Sequence, residues 1–168
     1  MRYDVLMKPI PAEFDAVDWQ ILEVLQDDAR ITNRELADRV GLSASASLAR
    51  VKSLRERGVI VGYAAELDLA RIGRSLQAIV AIRLNSHNRE TIARFVADMV
   101  ALDETLDLFH VTGDSDYLLH LAVSDPEHLR NVVLDALTIR PEVAQVTTSL
   151  VFEHHRSRAV KPTPVRRR

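Results

Sequence analysis

The 168-residue sequence predicts an α+β protein in two parts, a helical N-terminal domain followed by one in which strands and helices alternate. Three observations carry that expectation. Two helix-start signals, Thr32 and Ser43, stand on either side of a single glycine, Gly41. At Leu76 the apolar spacing changes from helical to alternating. Asp125 followed by Pro126 then opens a late helix between strand-like runs.

Residues 1–14 read as an arm with little structure of its own. Asp15 is a plausible N-cap, and Val17, Ile21, Val24 and Leu25 fall on one helical face, giving a first helix that ends near Asp28. Thr32 to Glu35 (TNRE) has the form of a capping box, in which hydroxyl and carboxylate each satisfy an orphan N–H. Leu36, Ala37 and Val40 supply the apolar face of this short second helix, and Gly41 suits the left-handed residue that ends it. Ser43 caps a third helix at once, so the third must cross the second steeply. That is helix-turn-helix spacing. The run VIVGYAAELDL after Gly58 suggests a strand or small wing leading into a linker. The expected boundaries are an arm at 1–14, a winged-helix-like helix-turn-helix domain at 15–62 and a linker at 63–75.

From Leu76, LQAIVAIRL reads as a strand, and Arg89 to Leu102 as a helix with Ile92, Phe95, Val96 and Met99 on one face. LDLFHVTGDSDYLLHLAV reads as two strands around a tight turn, DPEHLRNVVLDALTI as a helix and VAQVTTSLVFEHH as a final strand. The order βαββαβ is the ferredoxin-like plan, here spanning 76–153, with both helices on one side of a four-stranded antiparallel sheet. The other side is left uncovered, yet the strands are apolar on both faces: Phe109 and Val111 alternate with Leu108 and His110, and Leu118 and Ala122 with Leu119 and Leu121. A second copy of the same sheet is the simplest cover, which predicts a homodimer.

Composition narrows the function classes. The chain has no cysteine, its N-terminal stretch lacks the apolar core of a signal peptide, and no apolar run approaches the ~18 residues of a membrane span. These features predict a cytoplasmic protein without thiol chemistry. Net charge is −2, but Ser43 to Gly58 holds four basic residues against one acidic, and Glu153 to Arg168 six against one. Positive charge is local, and a phosphate backbone responds to the face it meets.

On a helical wheel of the third helix, Ala44, Ser47, Leu48, Val51 and Leu54 gather on the side expected to pack inward. Ser45, Ala46, Ala49, Lys52 and Ser53 gather opposite, with Arg50 and Arg57 at the edge. Small residues permit close backbone approach, and the N-terminal half of the second helix of this motif is the part that enters a major groove. The expected DNA-reading set is Ser45, Ala46, Ala49, Arg50 and Ser53, with Ser43 as cap and Lys52 near phosphate. A small bundle with a plain Ser/Ala/Lys surface is the alternative from periodicity alone.

The segment from Phe14 to Asp68 resembles the N-terminal half of the Lrp/AsnC (leucine-responsive regulatory protein, feast/famine) transcription factors, in the runs ARIT, ELA, VGLS, RV and GVI. GDSDYLL, Gly113 to Leu119, resembles the signature of that family's regulatory domain. The resemblance covers roughly residues 14–152. It implies sequence-specific binding to double-stranded DNA, assembly beyond a dimer into tetramers or octamers, and an amino-acid or related effector held by Gly113, Asp114, Ser115, Asp116, Tyr117 and Thr148 at contacts between dimers. The sequence departs from the common pattern at Ala49, where many members carry arginine, at Ser115, where an aromatic is frequent, and at Val146, often a hydroxyl residue.

A hairpin turn is the alternative reading of GDSD, since Gly, Asp and Ser favour turns. Among the six histidines, His154 and His155 point to opposite strand faces and no helical His pair supports a metal site, so none is expected. His110 is expected to be a partly buried polar residue. No phosphate loop, nucleophile elbow or metalloprotease helix is present, which argues against an enzyme and against a cofactor. The rival function is a metabolite-binding module or enzyme with a helical domain that does not bind DNA. The tail RSRAVKPTPVRRR, within the basic segment 154–168, is too polar to bury itself.

Overall fold

Helix capping sets the N-terminal elements. In the computed structural model, which describes residues 14–85, 88–155, 157 and 160, α1 spans Ala16–Asp27 and Asp15 Oδ1 accepts from the Asp18 amide at 2.8 Å. The short helix α2, Asn33–Val40, carries the full capping box of Thr32 and Glu35 and ends on Gly41 at φ 68°. Gly41 has open space around it, so its backbone conformation and not packing is what calls for glycine there. Helix α3, Ala44–Glu56, starts on Ser43, whose hydroxyl accepts from the Ala46 amide at 3.2 Å. Asn33 Nδ2 donates to the Ala44 carbonyl at 2.7 Å and so ties the start of α2 to the start of α3. Ile21, Leu36, Val40 and Leu54 form the buried centre of this unit.

The chain divides into two compact units, one ending at Ala65 and the next spanning Glu66–His155. Val59 to Leu69 forms no strand; this largely exposed segment starts with the Val59 and Ile60 amides donating to the Leu54 carbonyl. Its β-branched start joins no ladder because no strand lies alongside it among the described residues of its own unit.

The second unit contains β1 (Leu76–Leu84), α4 (Arg89–Ala101), β2 (Thr105–His110), β3 (Tyr117–Val123), α5 (Pro126–Val133) and β4 (Val143–Val151). Beyond Val133, α5 continues as a π-helical turn, Leu134–Thr138. The sheet order is β2-β3-β1-β4, antiparallel throughout, as the ferredoxin-like plan requires. Val80, Ile82, Leu119 and Leu121 bury one sheet face against Phe95 and Met99 of α4 and Leu137 after α5. On the opposite face, register aligns Phe109, Leu118, Ala81 and Thr147 in one row and Asp107, His120, Ile79 and Ser149 in the next.

That opposite face is less uniformly apolar than alternation suggests. His120 is 8% exposed, lies 3.0 Å from Gln77 Oε1 and 3.7 Å from Asp107, and its pKa is lowered by burial against the opposing pull of Asp107. His110, expected to be partly buried, is instead exposed, its ring stacked on Tyr117 with centroids 4.7 Å apart. An edge strand covers only one side of such a ring.

Candidate nucleic-acid interface and ligand-binding loop

Helix α3 is rotated from the wheel expectation. Ser47 and Leu54 are wholly buried and Val51 half-buried, but Leu48 is 60% exposed. The cause is Arg50. Its guanidinium reaches back to α1 and pairs with Asp15 at 2.7 Å and Asp18 at 2.8 Å, and the Asp18 side chain is only 10% exposed. Choosing the most apolar face ignores that demand: an almost buried carboxylate must be paired, and turning Arg50 toward α1 swings Leu48 out. The Asp18 carboxylate, followed by Asp15, raises the Arg50 pKa further, while the Asp18 amide and then Arg50 hold Asp15 below the usual carboxylate range.

Of the expected DNA-reading residues, Ser43, Ser45, Ala49, Lys52 and Ser53 are exposed, whereas Ala46 and Arg50 are half-buried. Among the described residues, Lys52 makes only a long pair with Glu56, 3.7 Å between exposed partners. Such a pair contributes little and is easily exchanged for a phosphate. Arg55 lies exposed one turn after Val51, and Arg57 sits over the Phe14 ring at 4.9 Å. Leu48 was missed because an apolar residue is assigned inward by default; the signal available was Asp15 and Asp18 together at the start of α1, needing a cation.

In the second unit, Gly113 has φ 122°, a conformation side chains resist. An open hollow of about 640 Å³ is lined by Gly113, Asp114 and Asp116 together with Arg83, Leu84, Asn85, Ala144 and Gln145. Its size is in the ordinary range for small-molecule sites. Asp116 is already engaged: its Oδ2 accepts from the Leu84 amide at 2.8 Å and its own amide donates to the Ile82 carbonyl at 2.9 Å. Asp114 is exposed and Ser115 half-buried outside the lining. Tyr117 belongs to the core beside Phe95, with ring centroids 5.4 Å apart, and burial raises its pKa. Thr148 pairs with Val80 from the edge strand β4, is exposed, and does not line the hollow. Arg83, paired in register with Gln145, was missed by the sequence reading. It is the charged residue near the end of an otherwise apolar strand run, and that was the signal.

Ser124, His128 and Glu104 line up as a hydrolytic triad would, with contacts of 3.1 and 3.0 Å. The serine proton, however, goes to Asp125 Oδ2 at 2.6 Å, and Asp125 also caps α5 by accepting from the His128 amide at 2.9 Å. The group fastens a helix start to the turn before β2 and leaves no activated nucleophile. Among the described residues, no helix is long and apolar enough to cross a membrane.

Comparison with known proteins agrees with both halves of this geometry. Residues 14–61 match the winged helix-turn-helix DNA-binding family, and residues 77–161 the Lrp/AsnC ligand binding domain. The HTH-type transcriptional regulator AldR of Mycolicibacterium smegmatis is 40% identical over 144 residues, 86% of this chain and 84% of the relative. Transcriptional regulator NMB0573 of Neisseria meningitidis, solved in complex with L-Met, superposes with a TM-score of 0.80 at 33% identity, covering 86% of this chain and 93% of that one. An AsnC family transcriptional regulator from Agrobacterium tumefaciens gives a TM-score of 0.81 at 28% identity, covering 89% and 97%. With a DNA-binding head, a ligand-binding body and relatives that are regulators and not enzymes, the chain belongs to the Lrp/AsnC family of DNA-binding transcriptional regulators.

Proposed function

We propose that the protein is a sequence-specific, amino-acid-responsive regulator acting in the cytoplasm. Helix α3 enters the major groove with Ser45, Ala49 and Ser53 toward the bases and Lys52 toward phosphate, while Ser43 caps the helix. Arg50 acts through position: it braces α3 against α1 and does not itself read bases. A homodimer forms through the open sheet face and presents two such helices, so the operator is roughly palindromic. Dimers assemble further, into tetramers or octamers, and effector binding between them alters the spacing of the DNA heads.

The observation that carries the sensing half is the presence of Arg83 and Asp114 around one hollow. A free amino acid has a carboxylate for a guanidinium and an ammonium for a carboxylate, and Asp114 has no backbone duty like that of Asp116. The L-Met bound to the Neisseria neighbour supports the same chemical class. The expected set therefore shifts toward Gly113, Asp114 and Arg83, with Ser115, Tyr117 and Thr148 shaping the strands around them. A thermal-shift screen against the common amino acids tests this: at least one raises Tm, and both Arg83→Gln and Asp114→Asn reduce that shift. If no amino acid moves Tm, the sensing reading fails. DNA reading is tested separately by footprinting across a salt series, where steep loss of affinity with salt is expected.

A further inference from the structure

The outward face of α3 offers only one large apolar side chain. Leu48 is 60% exposed, whereas its exposed neighbours along the same stretch, Ala44, Ser45 and Ala49, are small. A single exposed leucine is unremarkable on most surfaces. Here it stands above its surroundings by most of a side chain, on the helix and in the half of that helix proposed to meet base edges, with Lys52 one turn further along. Its orientation is fixed from below, since Arg50 is held by Asp15 and Asp18 and Ser47 is fully buried, so α3 has no freedom to roll Leu48 inward without breaking that ion triad.

A leucine offers no hydrogen bond. In a major groove the one base feature it favours is the C5-methyl of thymine; the other edges present donors or acceptors that its approach would desolvate. We infer that Leu48 is a specificity-determining residue that selects thymine at a fixed operator position by apolar contact with that methyl. The inference rests on α3 being the DNA-reading helix and goes beyond it by assigning a base and an atom.

The test uses the full chain and a randomised duplex pool, from which the wild-type protein selects its preferred sequence. Each thymine of the selected duplex is then replaced singly by deoxyuridine, which removes only the methyl, and affinities are read by fluorescence anisotropy. Wild type should lose about fourfold at one or more thymines, the worth of one buried methyl-sized group. Leu48→Ala, which removes an exposed side chain and leaves the melting curve unchanged, should bind parent and deoxyuridine duplexes equally at those positions. Uniform wild-type affinity for every deoxyuridine duplex, or an undiminished penalty in Leu48→Ala, overturns the inference while leaving DNA reading by α3 intact. Failure of the pool to enrich any sequence overturns the reading of α3 itself, and this inference with it.

Discussion

At the scale of single residues, two side chains of α3 behave against type. Ser47 is fully buried and its hydroxyl has no hydrogen-bond partner among the described residues. Burying a hydroxyl unpaired costs about 1–3 kcal/mol, whereas alanine fills nearly the same space without that demand. Ser47→Ala should therefore raise unfolding stability by about 1 kcal/mol, seen as a higher urea midpoint at unchanged slope; a lower midpoint would mean that the hydroxyl has a partner after all. Arg50 gives the opposite case. Arg50→Ala strands the nearly buried Asp18 carboxylate, so both Tm and DNA affinity should fall, and Arg50→Ala combined with Asp18→Asn should recover part of the Tm. Were Arg50 a base-reading residue, the double variant would gain nothing on Tm because the single variant would have lost nothing. These two positions also mark the limit of the sequence reading. The wheel ranks faces by hydropathy, which places Ser47 inward correctly only because it lies beside Val51 and Leu54, and places Leu48 wrongly because an ion pair between helices leaves no periodic trace.

At the scale of elements, local signals were read well wherever a side chain satisfies its own neighbouring backbone. The capping box at Thr32, the serine cap at Ser43, the left-handed Gly41 and the Asp125–Pro126 start all appear where expected, because each is a contact within a few residues. The strand expected after Gly58 does not form, because a strand depends on a partner that periodicity does not see. Three caps share an electrostatic consequence. The carboxylates of Asp15, Glu35 and Asp125 are held below their usual range, by the Asp18 amide and Arg50, by the Thr32 hydroxyl and amide, and by the Ser124 hydroxyl and His128 amide respectively. A carboxylate depressed in the folded state contributes stability that is full above its unfolded pKa, about 4, and is lost as pH falls through its lower folded value. These caps should therefore contribute a modest drop of the urea midpoint below about pH 4, and a variant carrying Asp15→Asn, Glu35→Gln and Asp125→Asn should be less stable at pH 7 with a shallower acid limb. Burial of His120 adds an earlier decline below about pH 6.5, common to both proteins, so the comparison isolates the caps.

At the scale of the whole molecule, the decisive feature is a sheet with two useful faces and helices on only one. Its open face pairs Phe109, 50% exposed, with Leu118 and then Ala81 across three strands, beside a polar group of Asp107, His120 and Gln77. A purely apolar face would invite indiscriminate sticking; a row of apolar residues next to hydrogen-bonding groups asks for a surface of matching register, which the second copy of the proposed homodimer would supply by two-fold symmetry. Alternation in the sequence made the apolar row legible, but the polar row was hidden, because strand pairing is what brings His120 beside Asp107 and Gln77. In the proposed homodimer, Phe109→Asp would place a carboxylate on the edge strand of the contact face, twice per dimer, with Asp107 already nearby on the same strand. Dimer dissociation should rise at least tenfold, about 1.4 kcal/mol, so that light scattering at micromolar protein gives a mass approaching one chain where the wild type gives at least twice that. Because Phe109 lies outside the buried core, the variant should keep its secondary structure by circular dichroism. An undisturbed dimer would move the interface off this face, and with it the spacing of the two recognition helices.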